Sequence, residues 1–179
     1  VLFYTLRRTL TDETHMLEQF TPTLYLKLSA HWISGVLLPS QTSFGEPPLL
    51  ALGNVKGKRQ ALAFGSAAQQ MQGQEGIELL NGFQHPRTLL ANFSVAEKTL
   101  QLLFQHLVPK SAFRLAPVVV LHPQEHLEGG LTQVEVRGLY ELCRSAGARK
   151  VHVWTGRELT SEELRTLQFP DGAGTEWTA

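Results

Sequence analysis

The chain has 179 residues, with 16 Lys+Arg against 16 Asp+Glu, 42% apolar residues and 18% charged ones. That length carries a packed core without staples, and that composition is globular, neither disordered nor membrane-embedded. The balanced charge gives no basic footprint for nucleic acid. The single cysteine leaves no disulfide framework or four-ligand zinc ribbon, which suits a reducing cytoplasm. No apolar run approaches the roughly 20 residues of a membrane span.

Residues 1–21 read as an N-terminal arm. At 100° per residue Leu2, Phe3, Leu6 and Leu10 share one side, flanked by Arg7 and Arg8. Such a helix either folds back onto its domain or lies on an anionic membrane surface. It is not the pattern of a secretory signal, because the charges follow the apolar part and no small-residue cleavage site comes after them. Pro22 then opens a run of strands: Leu24–Leu28, Ile33–Leu38 across a turn at Ser29–Trp32, Leu49–Leu52, and Ala61–Phe64. The polar stretch 54–60 carries Lys56, Lys58 and Arg59 around Gly57. It reads as a solvated hairpin tip rather than a phosphate site, since no helix N-terminus opens there. The expectation is an antiparallel meander.

From residue 94 the period becomes helical. Ser94–Glu97 has the letters of a capping box, and Val95, Thr99, Leu103, Phe104 and Leu107 recur on one face until Pro109. Pro117–Leu121 is continuously apolar, as a strand covered on both faces should be. Thr132–Glu135 is a second capping box, followed by the stripe Val136, Leu139, Tyr140, Cys143 and Ala146, with Gly147 as its left-handed stop. Val151–Trp154 is the next strand. A third helix starts at Thr160, with Glu163 closing its box and Leu159 and Leu164 available as a staple. Strand, helix, strand with short links is a parallel βαβ unit. The domain is expected over 22–168. Residues 169–179 are expected to be a flexible tail, although Asp171–Thr175 has the letters of a D-x-G-x-G-T loop.

Five segments in order carry a family resemblance. Gly45–Leu52 is similar to an N-E-P-S-hydrophobic strand entry, and Ala67–Met71 with Gly73 to A-K-x-M-x-G. His85–Arg87 through Leu90–Glu97 is similar to R-P-x-x-x-G-V-I-A-D-F-x-V-x-E. Thr132–Glu135 with Arg137, and Ala146–Val151, are similar to T-x-V-E-R-R…A-G-A-x-x-V. Residues 24–154 thus resemble the N-terminal half of the MreB/Mbl-like bacterial actin homologues, the rod shape-determining proteins. The resemblance implies an α/β, ribonuclease-H-like single lobe of the actin fold, with a mixed sheet and helices packed on it.

Where the family carries its chemistry this sequence departs from it. The family's first strand ends in D-x-G-T, whose acid organises a metal and whose glycine and hydroxyl approach a phosphate. Here the same place reads Lys27-Leu28-Ser29-Ala30, and Trp32 replaces a small polar residue. After the strand at 151–154 the family continues E-E-P, the second acid activating water. This chain has Thr155-Gly156-Arg157, so Gly156 marks the lost base position, and Glu158 is not promoted to that role. One lobe is expected where the family has two, and family polymerisation uses both. The resemblance therefore implies a pseudo-ATPase with no catalytic residue, no cofactor, no metal and no small-molecule substrate. It would act in the cytoplasm by protein–protein contact, in a setting of cell shape or envelope organisation. Leu2, Phe3, Leu6, Leu10 and Trp32 are its candidate membrane or partner contacts. A half-site ATPase completed by a partner chain and a peripheral membrane adaptor working through residues 1–10 are the alternatives.

Three further patterns have plainer accounts. His122–His126 spells H-x-x-E-H, but it leaves a strand and contains Pro123, so an exposed loop is expected instead of a zinc helix. Cys143 sits on an apolar stripe, as a packed thiol would. His31 beside Trp32 reads as a partly exposed turn pair.

Overall fold

The structure, a computed structural model, describes residues 21–108 and 116–179. The expected arm, with Leu2, Phe3, Leu6 and Leu10, lies outside the described residues.

Two sheets form. Strands β1 (Thr23–Leu28), β2 (Ile33–Leu38) and β3 (Thr42–Glu46) make an antiparallel meander. β1 then pairs in parallel with β7 (Val118–Pro123), and β7 with β8 (Lys150–Gly156). A last strand, β9 (Gly174–Trp177), closes the far edge, so the order is β3-β2-β1-β7-β8-β9. The smaller sheet holds β4 (Leu49–Val55) between β5 (Lys58–Phe64) and β6 (Ile77–Asn81). Four helices are described: α1 (Gly65–Gln69), α2 (Phe93–Leu107), α3 (Gln133–Ser145) and α4 (Ser161–Thr166). None is long and apolar enough to cross a membrane.

The period-2 alternation of the parallel strands builds a core on each face of the large sheet. Leu24, Leu26 and Leu28, Val119 and Leu121, and Val151 and Val153 enter the main core with Leu100 and Leu103 of α2 and Leu139 and Leu142 of α3. Tyr25, Val120 and Trp154 point the other way and pack with Leu159 and Leu164 around α4. The expected staple residues are thus both buried, in one cluster.

Several expectations are corrected by the backbone. The run Leu49–Leu52 does not continue the meander; its third strand is the polar segment β3, and Pro47-Pro48, which donate no backbone hydrogen bond, divert the chain into the second sheet. The hairpin tip shrinks to two residues, Lys56 and Gly57, both at positive φ (51° and 76°), the geometry that matches strand twist. Arg59 pairs with Glu78 across that sheet. The capping boxes at Thr132 and Thr160 form, but Ser94 caps nothing. Asn92 is the N-cap of α2 and accepts from the Val95 amide. The segment read as a tail folds back, and residues 174–177 pair with β8 from Val153 to Gly156. Phe169 stacks on Trp154, and the Trp177 indole donates to Thr155 Oγ1 at 2.7 Å, so aromatic contacts anchor that return.

Candidate functional site: the ends of the parallel strands

The chemistry-bearing positions meet where β1, β7 and β8 end. Lys27 leaves β1 opposite His122 of β7, and Gly156 closes β8 beside them. Sequence reasoning placed Lys27, Ser29, Ala30, Trp32 and Gly156 here. The structure adds Tyr25 and brings in His122, Glu125 and Glu158, which the sequence showed only in other patterns.

Lys27 Nζ donates to Glu158 Oε1 at 2.8 Å, which holds the Glu158 carboxyl below its ordinary range. Where a divalent ion would need hard anionic oxygen, the strand end thus presents an ammonium with its own carboxylate partner. These residues do not fit a magnesium-bound nucleotide.

The β1–β2 turn spends most of its polar groups internally, with Ala30 the exception. Ser29 N–H donates to the Trp32 carbonyl at 3.0 Å, and Ser29 Oγ accepts from the amides of His31 (3.4 Å) and Trp32 (3.0 Å). Ala30 N–H donates to Glu125 Oε2 at 3.0 Å, and the Ala30 carbonyl accepts from Asn81 Nδ2 at 2.8 Å, tying the turn to the smaller sheet. His31 and Trp32 are both exposed, Trp32 at 50%. The indole lies against the β3 backbone: a Cβ on Gly45 would come within 2.9 Å of Trp32 Cζ2.

Gly156 is closed to a side chain as well as lacking one. A Cβ there would sit 2.4 Å from the Ala173 carbonyl oxygen and 2.5 Å from Gly174 Cα. With β9 paired, no side chain fits at the position that the sequence resemblance assigned to a water-activating acid. Arg157, next along, grips Glu163 with both guanidinium arms (2.9 and 2.5 Å), holding that carboxyl down to about 2.

Beneath these groups lies a buried relay. The Gly156 carbonyl can only accept, so His122 Nε2 carries the proton and donates at 3.1 Å; Nδ1 then accepts from the Tyr25 hydroxyl at 2.5 Å. Tyr25 Oη accepts in turn from the Leu159 amide at 3.4 Å. Burial pushes the Tyr25 phenol up to about 12 and pulls the His122 imidazolium down. His122 is therefore a buried strand residue, not the start of an exposed loop. His126 sits in the following turn at φ 59°, so the two imidazoles of H-x-x-E-H share no helix face. Cys143 is packed in the main core, and burial lifts its thiol to about 12. The relay was hidden in the sequence because Tyr25 reads as an apolar strand position and its partner lies 97 residues away.

The fold matches known proteins. The MreB/Mbl protein family model matches residues 42–159. The chain belongs to the MreB/Mbl family. Its fold is that of solved actin-like proteins. MreB5 of Spiroplasma citri bound to ADP superposes with a TM-score of 0.58 at 20% identity, covering 75% of this chain and 38% of that one. A non-polymerising A278D mutant of MamK bound to AMPPNP gives 0.59 at 11% identity, covering 75% and 41%. The Uncharacterized protein YjaA of Escherichia coli (strain K12) is 42% identical over 73 residues, which span 38% of this chain and 58% of that one. This MreB/Mbl chain therefore spans about two fifths of the actin-like structures and under two thirds of that curated relative.

Proposed function

We infer that this MreB/Mbl-family chain is a non-catalytic, actin-fold protein that works in the cytoplasm through protein–protein contact, in a cell-shape or envelope setting. The observation that carries this reading is the Lys27–Glu158 ion pair at the strand end where its relatives would hold a metal-organising acid. Phosphoryl transfer depends almost wholly on positioning and on charge neutralisation by metal and donors. Here the acid is a lysine, the base position admits no side chain, and the turn amides are already bonded. The scaffold around them is intact: both T-x-x-E capping boxes form and the main core draws buried residues from six of the elements. A domain kept for folding and contact would look like this. Trp32, half exposed at the rim and seated on Gly45, is the described side chain best placed to meet a partner.

Titration calorimetry with Mg-ATP tests the reading. No binding heat is expected at any concentration up to millimolar, whereas micromolar affinity would contradict it.

A further inference from the structure

We propose that Glu125 is a built-in plug of the β1–β2 turn: its carboxylate occupies the one backbone amide the turn would otherwise offer to a phosphate-type anion, and repels such anions by charge. The inference rests on the non-catalytic reading above and assigns it a residue. Of the four amides in the turn, those of Ser29, His31 and Trp32 are bonded within the turn itself. Only the amide of Ala30, a residue just 6% exposed, points out of it, and it meets a carboxylate delivered from 95 residues away.

The segment after β7 is shaped to make that delivery. Gln124 N–H donates to the Leu28 carbonyl at 2.9 Å, extending the β1–β7 pairing by one bond. His126 adopts φ 59°, a left-handed conformation that non-glycine residues rarely take, immediately after Glu125. Leu127 packs against the main core, and Gly130 N–H closes the turn onto the Leu127 carbonyl at 2.9 Å. Anchored on both sides, the carboxylate lies half-buried over the turn. Lys27, the cation on the same strand end, is already engaged by Glu158, so neither of the turn's two anion-binding groups is open. A pyrophosphate or phosphate group entering here would have to displace one carboxylate and compete with another.

The test compares the full chain with E125Q and E125A, using inorganic pyrophosphate as the probe. The readouts are calorimetry and the Ala30 amide resonance in a proton–nitrogen correlation spectrum. E125Q keeps an acceptor oxygen but removes the charge, while E125A removes both. The unaltered protein is expected to leave the Ala30 amide unmoved at millimolar probe. E125A should bind at least about tenfold more tightly, with E125Q between the two. Variants that bind no better than the unaltered chain, or an unaltered chain that binds as well as E125A, would overturn the plug. If E125A does not fold, E125Q decides by the same comparison. Mg-ATP bound by the unaltered protein, with the variants still tighter for pyrophosphate, would contradict the non-catalytic reading alone. Variants indistinguishable from an unaltered chain that binds neither probe would contradict the plug alone.

Discussion

Tyr25 and His122 show what a single buried polar pair does to this sheet. Tyr25→Phe keeps the ring in its cluster but leaves His122 Nδ1 without a donor and the Leu159 amide without an acceptor. Leaving a buried group unsatisfied costs about 1–3 kcal/mol, so urea melts of this variant are expected to show a loss of that size. A change well under 1 kcal/mol would mean the relay is not formed. The same pair sets a pH dependence. Burial lowers the folded-state pKa of His122, so the unfolded chain takes up the proton first as pH falls. The His122 contribution is full above about pH 6.5, the ordinary imidazole value, and is lost as pH falls through the lower folded value. His122→Gln, which does not titrate, is expected to remove that part of the slope between neutral and mildly acidic pH. Glu163 acts in a separate, more acid window. Its carboxyl is held to about 2 by Arg157, so its contribution is present above the ordinary carboxylate range and fades only towards strong acid. Lys27 itself, on the surface, is expected to matter little to stability, since exposed ion pairs are worth roughly 0.2–1 kcal/mol. Its importance lies in the charge it places at the strand end.

At the scale of elements, the caps distinguish local from tertiary control. T-x-x-E announces α3 and α4 correctly, because threonine and glutamate satisfy each other's backbone donors without outside help. Ser94–Glu97 carries equivalent letters and fails. The chain enters α2 with the amides of both Ala91 and Asn92 bonded to the Gly82 carbonyl, and that anchor fixes Asn92 as the cap and leaves Ser94 inside the first turn. Asn92→Ala is therefore expected to cost about 1 kcal/mol in chemical denaturation, and Ser94→Ala only a few tenths. The reverse order would restore the capping box at 94. The strands divide in the same way. β1, β7 and β8 are legible because burial on both faces makes them largely apolar runs. β3 reads Thr-Ser-Phe-Gly-Glu and β9 Gly-Thr-Glu-Trp, polar and glycine-bearing as edge strands tend to be, so neither announces itself by hydrophobicity. What holds β9 is tertiary: the Trp177–Thr155 bond, the His152–Glu176 contact at 2.5 Å and the bare glycines at 156 and 174 that let the two strands meet.

At the scale of the molecule, a six-stranded sheet with a core on each face gathers Lys27, His122 and Gly156 at one end. Lys27, Ser29 and Gly156 at that end were legible because each is a change of residue type against the motif the sequence resembles. What each of these positions contacts was not. Glu158 answers Lys27, Glu125 answers Ala30, and β9 closes over Gly156, and each of these partners comes from a segment far along the chain. At this end of the sheet Lys27 is paired with Glu158 and the Ala30 amide with Glu125.

The measurement that bears most directly on this account is a crystal structure obtained after soaking with Mg-ATP. Lys27 Nζ should remain within hydrogen-bond distance of Glu158, with Glu125 still on the Ala30 amide and no nucleotide or metal density at the strand ends. Density for a divalent ion and a triphosphate beside residue 27 would contradict it.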